Sequence, residues 1–378
     1  MNGLKAHALW RGKLRIAIVP EVNTMNDLAL AYTPGVGEAA KAIAEDITQT
    51  NQLTWRGRLV GVISDGSAVL GLGAVGPEAA LPVMEGKCLL FKRFADLDAL
   101  PLVLNTATKE AFVDTVMALA PSFGAINLED IKAPECVWIE RKLKEALDIP
   151  VFHDDQHGTA IVVLAGLLNA LTVVEKALHQ VRVVISGLGA AGSAVIRLLH
   201  QAGCRHISGY DVAGQLLPNR VKTPLEEELI HYLKTQPMGT LQDALKHADV
   251  FIGVSAGGLL TSEDIQTMAP KAIVFALANP MPEISYDDAQ RGGAYVVATG
   301  RSDAPNQINN VLAFPGLIDA ALKLGLTRFD EHHYVATAKA IASCVEHPQA
   351  LRIVPTVFEA SLNQAIYDAL KNTQTQHA

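Results

Sequence analysis

The 378-residue sequence is poor in several residue types, and each shortage narrows the class of protein. Four cysteines, at positions 88, 136, 204 and 344, lie far apart, and none belongs to a CxxC motif. This spacing argues against a disulfide framework and against a cysteine zinc site, and it fits a reducing compartment. The 31 Lys and Arg residues are scattered, so we do not expect a nucleic-acid partner.

Membrane-directing segments are also missing. The N-terminal residues 1–16 are basic, but no apolar run with a small-residue cleavage site follows them. No later apolar stretch reaches about 18 residues without interruption. We therefore expect a cytoplasmic protein without membrane contact. With 49% hydrophobic residues the chain can bury a large core, and its length favours two domains.

Short apolar runs alternate with helical patterns, which predicts a parallel α/β fold. In the first half, the predicted strands are 58–64, 100–105, 123–128 and 150–153, with helices at about 77–93, 108–120 and 133–147. In the second half, an apolar helix at 158–175 precedes a doubly wound sheet, with strands at 181–186, 206–210, 249–254, 272–277 and 294–298 and a helix at 190–202. Helices at about 306–324, 334–348 and 356–371 follow, and the polar tail KNTQTQHA is expected to fray.

This pattern predicts an N-terminal α/β domain, residues 1–155, and a doubly wound, Rossmann-type domain, residues 156–378. No low-complexity linker marks the junction, which we place on chemistry near the segment HDDQHGTA. The C-terminal helices, at about 330–371, could pack back on the first domain.

One glycine motif has the context of a dinucleotide-binding loop. Gly187, Gly189 and Gly192 directly follow a β-branched strand and open an apolar helix. Backbone N–H groups and the helix dipole can hold a pyrophosphate at such a place. Asp211 ends the next strand, where a carboxylate can accept both hydroxyls of a ribose.

A second glycine motif competes with the first. Gly71, Gly73 and Gly76 lie six residues beyond their strand, and no following strand ends in an acid. We interpret this segment as a turn that leads into a helix, with Pro77 at the first helical position.

The residues after Asp211 predict which dinucleotide is used. Asp211 is followed by Val212 and Ala213, so no arginine or serine stands beside it to meet a 2′-phosphate. NAD is therefore predicted to be preferred over NADP. The alternative, that Arg220 or Lys222 folds back to this ribose, stays open.

Two pairs of acids follow directly on predicted strands. Glu129 and Asp130 follow FGAINL, and Asp154 and Asp155 follow PVFH. The carboxyl ends of parallel strands form the ligand-binding edge of an open α/β sheet. Four acids would repel one another there unless a cation or a lysine lay among them, which favours an oxygen-ligated Mg²⁺ or Mn²⁺. Each pair alone could instead cap a helix.

Three kinds of residue are ambiguous by themselves. Lys87 lies in the apolar stretch LPVMEGKCLLF. Partly desolvated beside a metal cation, it would lose its proton more readily and could act as a base, or its ammonium could reach solvent from an amphipathic helix. Tyr32 precedes a Thr-Pro turn, where a tyrosine is usually a packing residue. Asn279 and the pair Asn309 and Asn310 occupy loop positions, where amides recognise carboxylates and carboxamides or cap turns.

Seven segments closely resemble the malic enzyme family, in the same order and spacing, between about residues 25 and 320. The segments are AYTPGVGE, SDGSAVLGLGAVGP, PVMEGKCLLFKRFADLDA, PSFGAINLEDIKAPEC, PVFHDDQHGTAIV, FALANPMPEI and VATGRSDAPNQINNVLAFPG. Because seven motifs occur in one order, the resemblance is far more specific than a glycine fingerprint alone.

The resemblance implies a role for each ambiguous residue. It makes Tyr32 the general acid, Lys87 the general base and Asp154 the carboxylate that supports this lysine. It implies three metal ligands, which are Glu129, Asp130 and Asp155. Residues 1–155 would then be the domain for substrate and metal, and residues 156–378 the dinucleotide-binding domain. The remaining implied contacts are Asn279 and Asn310 with malate, Asn309 with the nicotinamide region and Thr159 with the cofactor.

The sequence departs from the large eukaryotic members of that family at one position. Ala68 stands where they have an arginine that binds the substrate carboxylate. Arg301, Lys92 and Ser67 are candidates to replace this arginine, and the sequence does not rank them.

The resemblance implies a homodimer that converts L-malate to pyruvate and CO₂ while reducing NAD, or NADP, with Mg²⁺ or Mn²⁺. Three alternatives stay open. The chain could be a malolactic-type enzyme that releases lactate, a 2-hydroxy-acid dehydrogenase that does not decarboxylate, or a dinucleotide sensor without catalysis.

Overall fold

A computed structural model describes residues 3–10, 12–69 and 71–377 of the chain. The strands are β1 Leu59–Ser64, β2 Asp98–Val103, β3 Ala125–Leu128, β4 Val151–His153, β5 Arg182–Ser186, β6 His206–Asp211, β7 Gly214–Gln215, β8 Val250–Gly253, β9 Ile273–Ala276 and β10 Val296–Thr299. The helices are α1 Gly3–Trp10, α2 Met25–Ala31, α3 Gly35–Glu45, α4 Thr50–Leu53, α5 Pro77–Ala95, α6 Lys109–Leu119, α7 Glu135–Ala146, α8 Thr159–Val174, α9 Ala190–Gln201, α10 Pro224–Leu229, α11 Leu241–Leu245, α12 Ser262–Gln266, α13 Tyr286–Arg291, α14 Phe314–Leu324, α15 Glu331–Ser343 and α16 Leu362–His377.

The first sheet has four parallel strands in the order β2-β1-β3-β4. Every residue of β1, β3 and β4 is buried, since helices or loops cover both faces of a parallel sheet. One apolar cluster joins this sheet to α6 and α7. As a result, the residues that follow β3 and β4 come together at one edge of the sheet.

The second sheet has the order β10-β9-β8-β5-β6-β7, and only β7 is antiparallel to its neighbour. The strand order reverses between β5 and β8, which is the point where an open α/β sheet binds its ligand. The predicted α/β fold class with a doubly wound second sheet is therefore confirmed.

Helix α8 links the two sheets and is buried over most of its length. The stretch Asp154–Val174 is long and apolar enough to cross a membrane, but 78% of its most apolar window is buried inside the structure. Such burial is typical of the central helix of a globular core.

The C-terminal helices contact the first part of the chain. Phe314 at the start of α14 packs edge-on against Phe91 of α5, with ring centroids 4.8 Å apart. Asn363 of α16 donates a hydrogen bond to the backbone oxygen of Phe94, 2.5 Å away. Thus α5 lies between the first sheet and helices from the far end of the chain.

Two helix predictions at the C-terminal side are wrong. Residues 306–313 do not join α14, because the Asn309 side chain accepts the N–H of Val311 and starts a short 3₁₀ turn. The polar tail, which was predicted to fray, is helical to His377 and extends α16. Gln374 Nε2 there donates to the backbone oxygen of Leu324 at 3.4 Å.

The N-terminal segment packs differently from the rest. From residue 12 to residue 58 no side chain is buried, although the segment contains α2, α3 and α4. Several of its apolar side chains are almost fully exposed, including Ile18, Val19 and Leu30. We call residues 12–58 the N-terminal arm.

Candidate active site

Lys87 projects from α5 to the carboxyl edge of the first sheet. Its Nζ lies 2.6 Å from Asp154 Oδ2 and 2.8 Å from Glu129 Oε1. It also lies 4.3 Å from the centre of the Phe314 ring, and the side chain is only 11% exposed. The ammonium is therefore held by two carboxylates and shielded from water by an aromatic ring.

The charge around Lys87 controls its pKa. Burial alone would lower the pKa of Lys87, but the charges of Asp154 and Glu129 and their hydrogen bonds raise it above the ordinary lysine value. This differs from the expectation of a readily deprotonated lysine. The easy loss of a proton requires a cation beside Lys87, whereas here its own ammonium neutralises part of the charge of Asp154 and Glu129.

Three carboxylates gather beside this lysine. Ligand atoms of Glu129, Asp130 and Asp155 all lie within 4.8 Å of one another. Glu129 Oε2 accepts a hydrogen bond from Asn127 Nδ2 at 2.9 Å, and Asp155 Oδ2 accepts one from the Asp130 N–H at 2.8 Å. The structure thus brings together the three residues predicted as metal ligands.

These carboxylates carry more negative charge than Lys87 can balance. Burial raises the pKa of Glu129 well above its ordinary value, and the neighbouring Asp155, Asp154 and Asp130 raise it further, against the effect of Lys87. Buried carboxylate oxygens in excess suit a hard divalent cation such as Mg²⁺ or Mn²⁺. The residues present therefore fit such an ion.

Asp154 also joins the lysine to two predicted ligand-contact residues. Asn310 Nδ2 donates to Asp154 Oδ2 at 3.0 Å, and Thr159 Oγ1 donates to Asn310 Oδ1 at 3.3 Å. Lys87, Asp154, Asn310 and Thr159 therefore form one continuous hydrogen-bonded chain. It runs from the first sheet to the start of α8 and the loop before α14.

The turn that carries Asp154 and Asp155 is a π-helical turn, Asp154–Gly158. Such turns are rare and often occur at functional sites. A buried carboxylate from α7 holds this turn from behind, because Glu140 Oε2 lies 2.9 Å from His157 Nε2 and 3.2 Å from Gln156 Nε2. The sequence analysis missed Glu140, since it lies within a helix of mixed charge and has no motif around it.

Glu140 belongs to a larger buried network. Its Oε1 lies 2.8 Å from Lys144 Nζ, which donates to the Tyr334 hydroxyl at 3.1 Å. The Tyr334 ring stacks on His157 with centroids 4.4 Å apart. Burial lowers the pKa of His157 to about 4, so this imidazole is neutral at pH 7. The network joins α7, the π-helical turn and α15.

The first glycine motif forms an open loop after β5. A Cβ added to Gly192 would lie 1.8 Å from the Gly187 backbone oxygen, and Gly187 has a φ of +106°. A Cβ at Gly189 would meet nothing within 4 Å. Close packing behind the loop and free space in front of it fit a pyrophosphate at the start of α9.

The competing motif forms a turn that ends in α5, as predicted, with Gly76 before Pro77.

Asp211 ends β6, as predicted, but it has a charged partner. Arg220 Nη2 lies 2.8 Å from Asp211 Oδ1 and 3.1 Å from Oδ2. Arg220 and Lys222 were the two basic residues that could fold back toward the ribose. Of these, Arg220 lies on the carboxylate of Asp211. Lys222 is exposed.

The remaining predicted contact residues lie in two loops. Asn279 follows β9, and a Cβ added to Gly300 would come within 2.8 Å of its Nδ2. The loop 71–73 is close to it as well, since a Cβ at Gly71 would lie 2.5 Å from the Asn279 backbone oxygen. Asn309 caps the short turn before α14.

The three candidates for the role of the arginine that Ala68 replaces differ in their surroundings. Lys92 binds Asp96 and Asp98 at the amino edge of the first sheet, opposite the site. Ser67 Oγ donates to Asp65 and accepts the Lys132 N–H, so it shapes a turn. Arg301 pairs with Asp303 and donates to the Pro280 backbone oxygen at 3.3 Å, next to Asn279. Of the three, the position of Arg301 suits a carboxylate best.

The surroundings of Tyr32 differ from those of the buried cluster around Lys87. It follows α2 in the N-terminal arm, and its side chain is 66% exposed. Its backbone is fixed by hydrogen bonds to Leu28 and Val36. Among the hydrogen bonds of the described residues, none involves its hydroxyl.

A second residue that the sequence analysis missed is Glu283, which is fully buried. Its carboxylate accepts the N–H groups of Ser255 and Ala278 at 2.9 and 3.1 Å. It thereby ties the loops that follow β8 and β9, and the second of these loops carries Asn279. The motif NPMPEI around it was the only signal.

Comparison with known proteins agrees with this geometry. Residues 11–111 match the family model of the malic enzyme N-terminal domain, and residues 156–366 match that of the malic enzyme NAD binding domain. A bifunctional malic/malolactic enzyme of Bacillus subtilis is 48% identical, over 98% of this chain and 91% of that protein. An NADP-dependent malic enzyme of Halomonas elongata is 47% identical, over 89% of this chain and 80% of that protein.

A solved structure supports the same assignment. The crystal structure of an NAD-dependent malic enzyme from Thermotoga maritima superposes with a TM-score of 0.95 at 44% identity, and it covers 98% of this chain and 99% of that one. The chain therefore belongs to the malic enzyme family. Its relatives include both NAD- and NADP-dependent forms.

Proposed function

We propose that this protein oxidatively decarboxylates L-malate to pyruvate and CO₂, with NAD as the preferred oxidant and Mg²⁺ or Mn²⁺ as the metal. The observation that carries the proposal is the position of Lys87, held between Glu129 and Asp154 beside two further acids. We also propose cytoplasmic residence and a division at residues 155 and 156 between the substrate domain and the dinucleotide domain.

Glu129, Asp130 and Asp155 would hold the metal ion, and the glycine loop after β5 would hold the dinucleotide. When bound, the metal supplies Lewis acidity to malate and to the enolate left by CO₂, and the nicotinamide accepts the hydride. Thr159 and Asn309 would lie near the nicotinamide, and Asn279 and Asn310 would contact malate. The amides can donate to the substrate carboxylates, which helps to replace the arginine missing at Ala68.

Lys87 would take the proton from the C2 hydroxyl of malate. To do so, Lys87 must first lose its own ammonium proton, and it loses that proton readily only when its carboxylate partners are neutralised, which a cation beside Glu129 would achieve. Asp154 would then keep the amine in place, since its Oδ2 also binds Asn310 and is fixed in the π-helical turn.

Tyr32 would protonate C3 after CO₂ departs. Its exposure on the N-terminal arm supports a homodimer in which the arm packs against a second copy of the chain. Many exposed apolar side chains along one segment mark a surface that is covered in the assembly. Tyr32 could then serve the site of the partner subunit.

A second activity is favoured by one observation. The Bacillus subtilis relative is named a bifunctional malic/malolactic enzyme, and 98% of this chain aligns with it. Release of lactate is therefore a second candidate for this protein. It would require the reduced dinucleotide to pass its hydride to pyruvate before leaving.

The test is a product analysis with L-malate, Mn²⁺ and NAD. We expect pyruvate and NADH in equal amounts, no accumulated oxaloacetate, and loss of both products in Lys87→Ala. Lactate without net NADH would support the malolactic activity. Oxaloacetate as the end product, or no turnover despite bound NADH, would contradict the proposal.

A further inference from the structure

Arg220 is held in one place by the chain itself. Besides Asp211, it binds two backbone oxygens, because its Nη1 donates to Gly214 at 2.7 Å and to Gln215 at 2.5 Å. Both side chains of the pair are about three-quarters buried, with 24% of Arg220 and 25% of Asp211 exposed. The β6–β7 hairpin therefore fixes the guanidinium against the carboxylate.

The pair changes the charge at the ribose end of the proposed dinucleotide site. An acid at the end of this strand accepts the ribose hydroxyls of NAD, whereas a nearby arginine accommodates the 2′-phosphate of NADP. Here both residue types are present and in contact, so their charges cancel. An unpaired Asp211 would repel a 2′-phosphate, and Arg220 removes that repulsion.

Asp211 keeps part of its capacity for ribose hydroxyls despite this partner. A carboxylate offers about four acceptor positions. Arg220 uses one nitrogen for both oxygens, and the Ala213 N–H binds Oδ1 at 2.7 Å. The exposed Val212 beside it leaves the hairpin open to solvent. With two contacts on Oδ1 and one on Oδ2, one acceptor position of Asp211, on Oδ2, therefore remains for a ribose hydroxyl of NAD.

We propose that Arg220 is the specificity-determining residue that lets NADP bind as a second cofactor. It thereby keeps small the difference in affinity between NAD and NADP. This inference rests on the proposed dinucleotide site. Arg220 acts through contact with Asp211 and through its charge next to the 2′ position. Lys222 does not share this role, because its side chain is exposed and its backbone N–H, rather than its ammonium, binds Glu226.

The test measures the dissociation constants of NADH and NADPH by fluorescence titration, without malate or metal. In Arg220→Gln, the Kd of NADPH should rise roughly tenfold, while that of NADH stays within about threefold of the original value. Lys222→Gln removes the same charge two residues away and should leave the ratio of the two constants unchanged. Equal weakening of both nucleotides by Arg220→Gln, or no change in either, would overturn the proposal.

Two further variants keep the test valid if Arg220→Gln folds poorly. Arg220→Lys retains the charge and should keep a ratio close to that of the original protein. Asp211→Asn keeps the shape and should shift the ratio the other way, with weaker NADH and tighter NADPH. An unchanged ratio in Asp211→Asn would also overturn the proposal.

This binding assay separates the inference from the proposed reaction. If the protein binds both nucleotides but forms no pyruvate from malate, the proposed function fails while the role of Arg220 can still hold. If pyruvate forms but the ratio ignores Arg220 and Asp211, only the inference fails.

Discussion

The carboxyl edge of the first sheet and the N-terminal arm are opposites in packing. At the edge, Asp154 is fully buried and Lys87 is 11% exposed, and each has at least two partners. On the arm, Tyr32 is 66% exposed and Leu30 is 78% exposed. A single chain therefore completes the proposed base and metal site but leaves the proposed acid on a surface without packing.

This difference indicates how the two halves of the reaction could be divided between subunits. One half is the removal of the C2 hydroxyl proton by Lys87, and the other is the protonation of C3 by Tyr32. Burial fixes Lys87 and its carboxylates, as proton abstraction and metal binding require. The arm can obtain comparable order only by burying its apolar side chains against another surface, and a second copy of the chain offers one. Mutations at the edge should therefore damage chemistry within one chain, and mutations of apolar side chains on the arm should damage assembly. Loss of the Tyr32 hydroxyl should damage chemistry without loss of assembly.

The largest effect is expected at Lys87. Lys87→Ala removes the proposed base, so kcat for malate oxidation should fall about 10²- to 10⁴-fold. Small amines added to the assay should restore part of the rate. Lys92→Ala is the matched control on the same helix, because Lys92 binds Asp96 and Asp98 at the opposite edge of the sheet. NADH binding checks the fold, and unaltered turnover in Lys87→Ala would refute the assignment.

The proposed metal ligands should give the next largest effect. Asp155→Asn leaves Glu129 and Asp130 with one charge fewer beside them, so Mn²⁺ affinity should fall by on the order of 100-fold or more. NADH binding should stay near its original strength, because the glycine loop lies after β5. Titration of Mn²⁺ by electron paramagnetic resonance measures the affinity directly. Retention of most of it would show that Asp155 is not a ligand.

A smaller effect is expected behind the edge, at Glu140. Glu140→Gln keeps the shape but weakens the hold on His157 and Gln156, so the π-helical turn should lose order and metal affinity should fall about 10- to 100-fold. The Mn²⁺ titration again gives the readout, and Glu140→Asp should recover part of the affinity. Glu145→Gln is the control on the same helix, since Glu145 forms only a surface pair with Lys142. Equal effects of the two variants would argue against a positioning role.

Substitution of an apolar residue on the arm should have the smallest effect on the chemistry within a site and a clear effect on dimer assembly. Leu30→Asp places a charge on a surface that we propose to be covered, so the dimer dissociation constant should rise roughly tenfold or more. Sedimentation velocity measures the change. Leu351→Asp is the control, because Leu351 is 62% exposed outside the arm. If neither variant alters the association state, the arm is not the dimer surface.

The residues at the carboxyl edge of the first sheet could be predicted from the sequence, but Glu140, which supports them from behind, could not. Strands such as β1 and β3 are continuous apolar runs, because both faces of a parallel sheet are covered, and the acids after them mark the strand ends. Glu140 could not be found this way, since its partners on the π-helical turn are 16 and 17 residues away along the chain.

The pairing of Asp211 with Arg220 was only one open possibility in the sequence. It depends on the course of the β6–β7 hairpin, which the short β7 did not reveal. The helices of the arm were also missed. Both helices nevertheless have local signals, since Thr24 and Asp27 form a capping box at the start of α2 and the residues of α3 have an amphipathic pattern.

The most direct test of the divided site is to mix two inactive chains, Lys87→Ala and Tyr32→Phe, under conditions of subunit exchange. If Tyr32 acts on the site of its partner, each mixed dimer contains one site with both residues intact. Since random exchange makes half of the dimers mixed, about a quarter of the original activity should return. No recovery, despite mixed dimers verified by mass spectrometry, would contradict the divided site.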